Sequence, residues 1–331
     1  MKTDRVPFLI AALVLAGMLA SCQKTYHAET EKYIFVASNI NLPYWQEAQA
    51  GFNDSGRGLG VKVEFTGPTS YSPEEQLNAF RQAVAAKPAG ILVAPARPDL
   101  FNKDIDAAVQ AGIPVICMDS DAPDSKRILF IGTDNVHAGM ESGRRMAQRV
   151  KDQGEIVLIT IPGQLNLEQR RQGVDEVFKK SPGLRITKVI DDKGDPRVAN
   201  DAISKMLEAK AKIDGILCLE ASGGAGAAEA AHRLNMDGKI PIVAMDKSPD
   251  TLDWISRGSI SATVAQKSYT MAFYGLRFLD DLHHNIVHEF KDWKTAPVSP
   301  LPTNVDTGTA IIDQSNLAAF QAAAAERSKP L

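Results

Sequence analysis

The sequence is poor in the residues that would point to a disulfide scaffold or a nucleic-acid partner. It has 3 cysteines among 331 residues, too few for a disulfide framework. Its 37 basic and 40 acidic residues give a formal charge of −3, so no basic excess remains to neutralise phosphates, and nucleic-acid binding is disfavoured. With 44% hydrophobic residues the chain is too apolar to be disordered. At about 100–200 residues per domain, its length predicts two domains.

Long apolar runs are also scarce, since the one clear case lies near the start of the chain. Residues 8–20 are free of charge but shorter than the ~20 residues that cross a bilayer, which is typical of an export signal. The run ends in Leu19-Ala20-Ser21-Cys22, which resembles a bacterial lipobox. We therefore expect a signal peptide over 1–21, lipid attachment at Cys22 and a tether over 22–31 that holds an exported body to a membrane. An ordinary signal peptide with a chance cysteine is the alternative.

Beyond residue 32 the chain alternates short apolar runs with amphipathic segments. The runs are continuously hydrophobic and rich in β-branched residues, which is typical of parallel strands buried on both faces. The pattern predicts an α/β protein with doubly wound parallel sheets. Strands are expected at 33–38, 61–66, 90–94, 114–118, 129–132, 155–161, 185–190, 215–219, 241–245 and 260–265.

An internal repeat predicts two similar lobes. The segment Ile113-Pro114-Val115-Ile116-Cys117-Met118-Asp119 returns 127 residues later as Ile240-Pro241-Ile242-Val243-Ala244-Met245-Asp246. In open parallel sheets, ligands bind beyond the carboxyl ends of the strands, and each repeat ends there with an aspartate. If the lobes face each other, Asp119 and Asp246 face one cleft, which can close on a ligand.

Several short motifs, in their order and spacing, resemble the periplasmic sugar-binding proteins of ABC importers. The resemblance is to the ribose-binding type, whose core is shared with the LacI-type repressors, and it covers about residues 33–325. The lipobox favours a binding protein over a repressor. The motifs are Asn41-Leu42-Pro43-Tyr44-Trp45, Gly132-Thr133-Asp134-Asn135, Arg170-Arg171-Gln172-Gly173 and Ala262-Thr263-Val264-Ala265-Gln266.

The resemblance implies how the chain is divided and what it does. The first lobe is expected over 31–133 plus 267–303 and the second over 134–266 plus 304–325, joined by a three-crossing hinge. The protein is expected to be a monomer that captures a monosaccharide or polyol by lobe closure and delivers it to ABC permease subunits. No cofactor, metal or enzymatic activity is implied.

The resemblance also implies a set of ligand-binding side chains. Aromatic rings at 44 and 45 would stack on the apolar faces of a sugar, unless one of them packs under the helix. The two repeat aspartates would accept hydrogen bonds from hydroxyls, with helix capping as the alternative. The guanidinium of Arg170, identified by Arg-x-x-Gly, would bind two oxygens at once. The expected ligand-binding residues are Asn41, Tyr44, Trp45, Asp119, Arg170, Glu220, Asp246 and Gln266.

Three positions depart from the family pattern and leave the identity of the sugar open. Glu220 stands where Asn or Asp is usual, Ala94 where Asn is frequent, and Leu42 where Asn commonly precedes the proline. A longer carboxylate at 220 would reduce the room and require a donor. Arg97 is expected either to reach into the cleft or to lie on the surface. Asn39 is the alternative to Asn41.

Other functions remain as alternatives. The same fold can pass a sugar signal to a membrane histidine kinase or chemoreceptor, and paired carboxylates also describe a glycosidase. His283, His284 and His288 include a pair at zinc-binding spacing, but without a third ligand in the sequence nearby they are expected to form a solvated helix end. Cys117 and Cys218 are expected to be free, buried thiols in different lobes.

Overall fold

The structure is a computed structural model that describes residues 26–287 and 289–327. The expected signal peptide over 1–21, the expected lipid-attachment residue Cys22 and His288 lie outside these residues. Within the described ranges, none of the helices combines the length and the apolar character that a membrane crossing requires.

The described chain follows the predicted alternation of strands and helices, and every expected strand is present. In chain order the elements are β1 (Lys32–Val36), α1 (Pro43–Leu59), β2 (Lys62–Thr66), α2 (Pro73–Ala85), β3 (Gly90–Val93), α3 (Pro98–Gln110), β4 (Val115–Met118), β5 (Leu129–Gly132), α4 (Asn135–Arg149), β6 (Gln153–Thr160), α5 (Leu165–Phe178), β7 (Gly183–Asp191), α6 (Pro196–Glu208), β8 (Gly215–Cys218), α7 (Gly223–Arg233), β9 (Ile242–Met245), α8 (Pro249–Ser256), β10 (Ala262–Ala265), α9 (Ser268–His283), β11 (Asn304–Asp306), β12 (Ala310–Ile312) and α10 (Leu317–Arg327).

These strands form two six-stranded sheets, one in each lobe. The first has the order β11-β5-β4-β3-β1-β2 and the second the order β12-β10-β9-β8-β6-β7. Neighbouring strands are parallel except that β12 runs antiparallel to β10. The two orders correspond strand for strand, so the doubly wound α/β fold and the repeat predicted from the sequence are both confirmed.

Each sheet is covered on both faces, which explains the continuous hydrophobic runs. In β1, Phe35 packs into a cluster with α1 and α9, whereas its neighbour Ile34 packs on the other face with Phe80 and Phe101 of α2 and α3. Successive strand residues point to opposite faces, so a strand covered on both sides needs apolar residues at every position.

The chain passes between the sheets three times, after β5, after β10 and after β11. The expected boundary between residues 303 and 304 is misplaced, because β11 pairs with β5 of the first sheet, Asn304 opposite Phe130. The third passage therefore lies at 307–309, between β11 and β12. A three-residue strand at the edge of a sheet carries too little pattern to be assigned from sequence.

Cys117 lies in β4 and Cys218 in β8, and both thiols are free and buried. The expectation of two unbridged cysteines in different lobes is confirmed. Burial raises the pKa of both thiols, which keeps them in the unreactive protonated form.

Helices α4 and α5 approach each other unusually closely at two glycines. A Cβ added at Gly139 would overlap the backbone oxygen of Arg170, and one added at Gly173 would overlap that of Val136. The glycine of the Arg-x-x-Gly motif is therefore required by helix packing, and the close approach places the middle of α5 against the first turns of α4.

We predict that Gly173→Ala lowers the stability of the protein, because the backbone of α4 cannot move away from the added methyl. Overpacking of this kind costs about 1–3 kcal/mol, seen as a lower midpoint in chemical denaturation. The matched control is Gly58→Ala in α1, where the nearest atom is the flexible end of Arg277 at 3.4 Å. The control should be neutral or stabilising by up to about 1 kcal/mol. Equal midpoints for the two variants would contradict the packing argument.

Candidate ligand-binding site

A cavity lies between the two lobes, beyond the carboxyl ends of their central strands. It leaves about 60 Å³ for the centres of water molecules, whereas one water needs about 10–15 Å³, so a ligand there would replace several waters. Its walls come from both lobes. The lining residues are Ser38, Asn39, Leu42, Tyr44, Trp45, Tyr71, Asp119, Ile161, Gln164, Asn166, Leu167, Arg170, Gly194, Glu220, Ala221, Asp246 and Gln266.

Asp119 and Asp246 occupy equivalent positions in the two lobes. Each directly follows a central strand, has a left-handed backbone with φ of 66°, and donates its N–H to the next strand, to Ile131 or Val264. Aspartate tolerates this conformation better than most residues. Neither side chain caps a helix, since Ser248 caps α8 by accepting from Thr251 N. Both carboxylates therefore face the cavity.

Asp119 links the two lobes through its carboxylate. It accepts a hydrogen bond from the Tyr44 hydroxyl at 2.5 Å in its own lobe and from Asn166 Nδ2 at 3.2 Å in the opposite lobe. Burial raises the pKa of Asp119, and the Arg170 charge and the Tyr44 hydroxyl oppose that rise.

Asp246 is held by the amide of Gln266. Its Oδ1 accepts from Gln266 N at 3.3 Å and from Gln266 Nε2 at 3.2 Å. Burial raises the pKa of Asp246 to about 6, with the Arg170 and Lys247 charges opposing and the Asp119 charge adding to the rise. The carboxylate is thus ionised at neutral pH but close to its titration range.

Arg170 is 2% exposed, and its guanidinium joins several segments of the chain. Nε donates to Asn135 Oδ1 at 2.9 Å, Nη1 to the Leu219 carbonyl at 2.8 Å, and Nη2 to Gln266 Oε1 at 2.7 Å. An arginine has five N–H donors, so two remain beyond these contacts among the described residues. The buried charge is balanced by the two aspartates beside it.

Three aromatic rings line the cavity, and one of them was not identified from the sequence. Tyr44 and Trp45 at the start of α1 meet edge to face, with ring centroids 4.9 Å apart. Trp45 also packs against Phe35 in the core, so the two expected outcomes, cavity lining and core packing, both apply to it. Tyr71, on the segment after β2, is the third ring.

Glu220 lines the cavity, but the donors that its carboxylate requires are backbone amides. It accepts from Ser222 N at 2.6 Å and from Gly223 N, at the start of α7, where the helix dipole favours a negative charge. Burial first, and the Glu220 charge second, raise the pKa of Asp192 well above its ordinary value. The protonated form of Asp192 is therefore favoured beside Glu220.

One expectation near the cavity, Asn41, is corrected, and the structure decides between the two alternatives left open for Arg97. Asn41 does not line it: the side chain is exposed, and Nδ2 donates to the Thr69 carbonyl at 3.0 Å. Asn39, the alternative, does line the cavity, and its Oδ1 accepts from Asn41 N at 3.0 Å. Arg97 does not reach in, because its guanidinium pairs with Asp99 at 2.6 Å on the surface.

Asn166 also lines the cavity, and its role was not identified from the sequence. It lies four residues before Arg170 on α5, a spacing that places both side chains on one face of the helix. That spacing was the available signal. The spacing could not predict that Asn166 bonds to Asp119, because that contact joins residues of different lobes.

The lobes contact each other around the cavity. Besides Asp119 and Asn166, the ammonium of Lys247 pairs with the carboxylate of Glu47 across the cleft, and Lys247 Nζ also donates to the Gln266 carbonyl at 3.1 Å. At the crossings, Thr133 Oγ1 donates to Gln266 Oε1 at 2.9 Å. The arrangement is a closed one, in which both lobes surround the cavity.

Comparison with known proteins identifies the family to which the fold belongs. The D-allose-binding periplasmic protein of Escherichia coli (strain K12) is 26% identical over 298 residues, which are 87% of this chain and 93% of that protein. Among solved structures, the arabinose-binding protein AraP from Geobacillus stearothermophilus is 35% identical to this chain, with a TM-score of 0.73. A sugar-binding protein of a sugar ABC transporter from Bacillus halodurans is 34% identical, with a TM-score of 0.76. Each match covers 88% of this chain and 99% of the other chain. Residues 33–284 match the family model described as "Periplasmic binding protein domain". This chain belongs to the periplasmic binding protein family.

Proposed function

We propose that this protein captures one monosaccharide or polyol between its lobes and delivers it, as a monomer, to the permease of an ABC importer. The observation that carries the proposal is the buried cavity in which two aspartates from equivalent strand ends meet one arginine and the Tyr44 and Trp45 rings. Flat rings cover the apolar C–H faces of a sugar, and the surrounding carboxylates, amides and guanidinium match its hydroxyls. Relatives that bind D-allose and arabinose support this class of ligand.

The charges of the cavity favour an uncharged ligand. The charged lining residues are the carboxylates of Asp119, Glu220 and Asp246 and the single guanidinium of Arg170. An anion such as a sugar acid or sugar phosphate would meet excess negative charge in a poorly screened site. Hydroxyl donors, in contrast, gain charge-assisted bonds to the carboxylates.

Binding would act through lobe closure. Asp119 and the aromatic rings belong to one lobe, and Arg170 and Asp246 to the other, so one ligand can contact both sets only when the lobes approach. A ligand that gains these contacts only in the closed state shifts the equilibrium toward it. The closed surface is then a signal that a permease can recognise, and the resemblance to a sugar ABC transporter protein supports that partner.

An enzymatic role is not supported. The family is one of binding proteins, and the relatives compared above are named as sugar-binding proteins.

The proposal includes export and anchoring through a lipid on Cys22, supported by the lipobox-like sequence Leu19-Ala20-Ser21-Cys22. Metabolic labelling with radioactive palmitate should mark the wild-type chain and leave Cys22→Ser unlabelled, with that variant released from the membrane fraction. Cys117→Ser is the control and should remain labelled. Label on Cys22→Ser, or none on the wild type, would contradict the anchor while leaving the sugar site untouched.

Sugar capture is tested by calorimetry against a panel of uncharged pentoses, hexoses and polyols, with the corresponding sugar acids as charged comparisons. The wild-type chain should bind at least one uncharged member, because the cavity matches hydroxyl donors. Arg170→Lys keeps the charge but loses the planar fork, and its affinity should fall by about 10-fold or more. Arg171→Lys is the control, since Arg171 pairs with Asp175 on the outer face of α5. No binding by the wild type, or equal affinity in both variants, would refute the assignment.

Asp246→Asn should weaken ligand binding and yet stabilise the ligand-free protein at neutral pH. The folded-state pKa of about 6 exceeds the ordinary value of 3.8, so the folded protein loses stability as pH rises from about 4 through 6. Removing the charge should recover up to about 2–3 kcal/mol at pH 7.5 and almost nothing at pH 4. Asp192, whose pKa depends on burial and on Glu220, titrates in both proteins and cancels in the difference. The check is thermal unfolding at the two pH values.

The control for that comparison is Asp250→Asn, which changes an exposed carboxylate in the first turn of α8. It should leave ligand affinity unchanged and produce no stabilisation at pH 7.5. A wild-type protein as stable at pH 7.5 as Asp246→Asn would show that the burial of this carboxylate carries no cost.

A further inference from the structure

A second cluster of ligating side chains lies outside the sugar cavity, on the outer side of the first lobe. It joins the segment before β1 to the end of α9 through contacts between residues 253 positions apart in the sequence. His27 and Glu31 come from the first segment, and Asp280 and His284 from the helix. None of the four residues lines the sugar cavity.

The ligand atoms of the cluster are spaced like the corners of one coordination shell. His284 Nε2 lies 3.0 Å from Glu31 Oε1 and 3.6 Å from Asp280 Oδ1. His27 Nε2 lies 3.1 Å from the same Asp280 oxygen, and all four ligand atoms are within 4.8 Å of one another. Tetrahedral zinc with bonds of 2.0–2.2 Å holds its ligand atoms about 3.3 Å apart.

The two carboxylates of the cluster are buried, and the imidazole Nε2 atoms of His27 and His284 and the N–H of Ala28 approach them. Glu31 and Asp280 are 6% and 3% exposed, so two carboxylates are buried side by side. The Tyr33 hydroxyl lies 2.8 Å from Glu31 Oε1 and 3.1 Å from Asp280 Oδ1, but its single proton can serve only one of them. Two buried carboxylates with two neutral imidazoles carry a charge of −2, which one divalent cation would cancel.

We propose that His27, Glu31, Asp280 and His284 form a structural zinc site. Two imidazole nitrogens and two carboxylate oxygens are a donor set suited to zinc, whereas calcium and magnesium prefer shells made of oxygen alone. Four protein ligands leave no open position, which is the mark of a structural site. Tyr33, which contacts both carboxylates, orients them.

The metal would fasten the beginning of the described chain to the first lobe. Residue 27 precedes β1, and residues 280 and 284 lie in the last turn of α9 and directly after it. Asp280 and His284 form an i,i+4 pair at the end of α9. The other two ligands, His27 and Glu31, come from the segment before β1. That is why the spacing of His284 and His288 alone, without Glu31 and His27, did not indicate a metal site.

The test uses the full-length chain, purified in detergent and stripped of metal with EDTA. Zinc chloride at about a hundredfold excess over its Kd should raise the unfolding temperature by about 5 °C, while calcium chloride should not. Calorimetry should show one zinc per chain, and X-ray absorption should show four nitrogen or oxygen ligands near 2.0 Å.

His27→Gln and His284→Gln should each lose the zinc-dependent shift and bind zinc about 100-fold more weakly, and Tyr33→Phe should bind it about 10-fold more weakly. His137→Gln is the control, because His137 is an exposed histidine near the start of α4, in the second lobe, and is not a ligand. His27 precedes the first strand, so its variant keeps the test valid if His284→Gln folds poorly. Sugar affinity should be the same in His27→Gln as in the wild type, since the cluster lies outside the cavity.

Three results would overturn the zinc site. These are an absence of any zinc-dependent shift in the wild type, a shift that survives in His27→Gln, and a shift lost equally in His137→Gln. The first would mean that protonated histidines pair with the carboxylates and balance them without a metal.

Discussion

The burial of one guanidinium organises the ligand site. Arg170 bonds to Asn135 just after the first crossing, to the carbonyl that follows β8, and to Gln266 at the second crossing. A buried charge is tolerated only when its donors are bonded and its charge is balanced. Asp119 and Asp246 supply that balance, and Gln266 in turn holds Asp246. The positions of the hinge segments, the strand ends and the carboxylates are therefore mutually dependent.

The two-lobe symmetry explains why carboxylates converge at this point. Both lobes repeat the same strand order, and the residue after each equivalent strand is an aspartate with the same left-handed backbone. Facing sheets bring these two residues to opposite walls of one cleft. Burial, together with a smaller contribution from the Asp119 charge, raises the pKa of Asp246. Carboxylates in such a place lower the stability of the empty protein, and under the proposed function a ligand rich in hydroxyl donors would offset that loss.

Further polar contacts between the lobes and between the crossings hold the closed arrangement. Lys247 pairs with Glu47 across the cleft, and Thr133 joins the first and second crossings through Gln266. Polar contacts at the cleft are easily exchanged for water, in contrast to an apolar interface, so they permit opening as well as closing. The geometry suits a protein that must release its ligand to a partner.

Much of the fold and part of the site could be read from the sequence. The strand positions and their alternation with helices followed from the hydrophobic runs, because a sheet covered on both faces requires such runs. The repeat placed Asp119 and Asp246, and the Arg-x-x-Gly spacing placed Arg170, whose glycine the packing of α4 against α5 requires. These features are local or periodic, and so they leave a trace in a short window of sequence.

The contacts between distant segments could be determined only from the tertiary structure. The choice of Asn39 over Asn41, the pairing of Asn166 with Asp119, and the capping role of Glu220 all depend on how elements are oriented after packing. The same holds for His27 and Glu31, which meet Asp280 and His284 only because β1 and α9 are neighbours in the folded lobe. Sequence spacing determines which face of an element a residue occupies, whereas the partner on that face is determined by the packing of the whole chain.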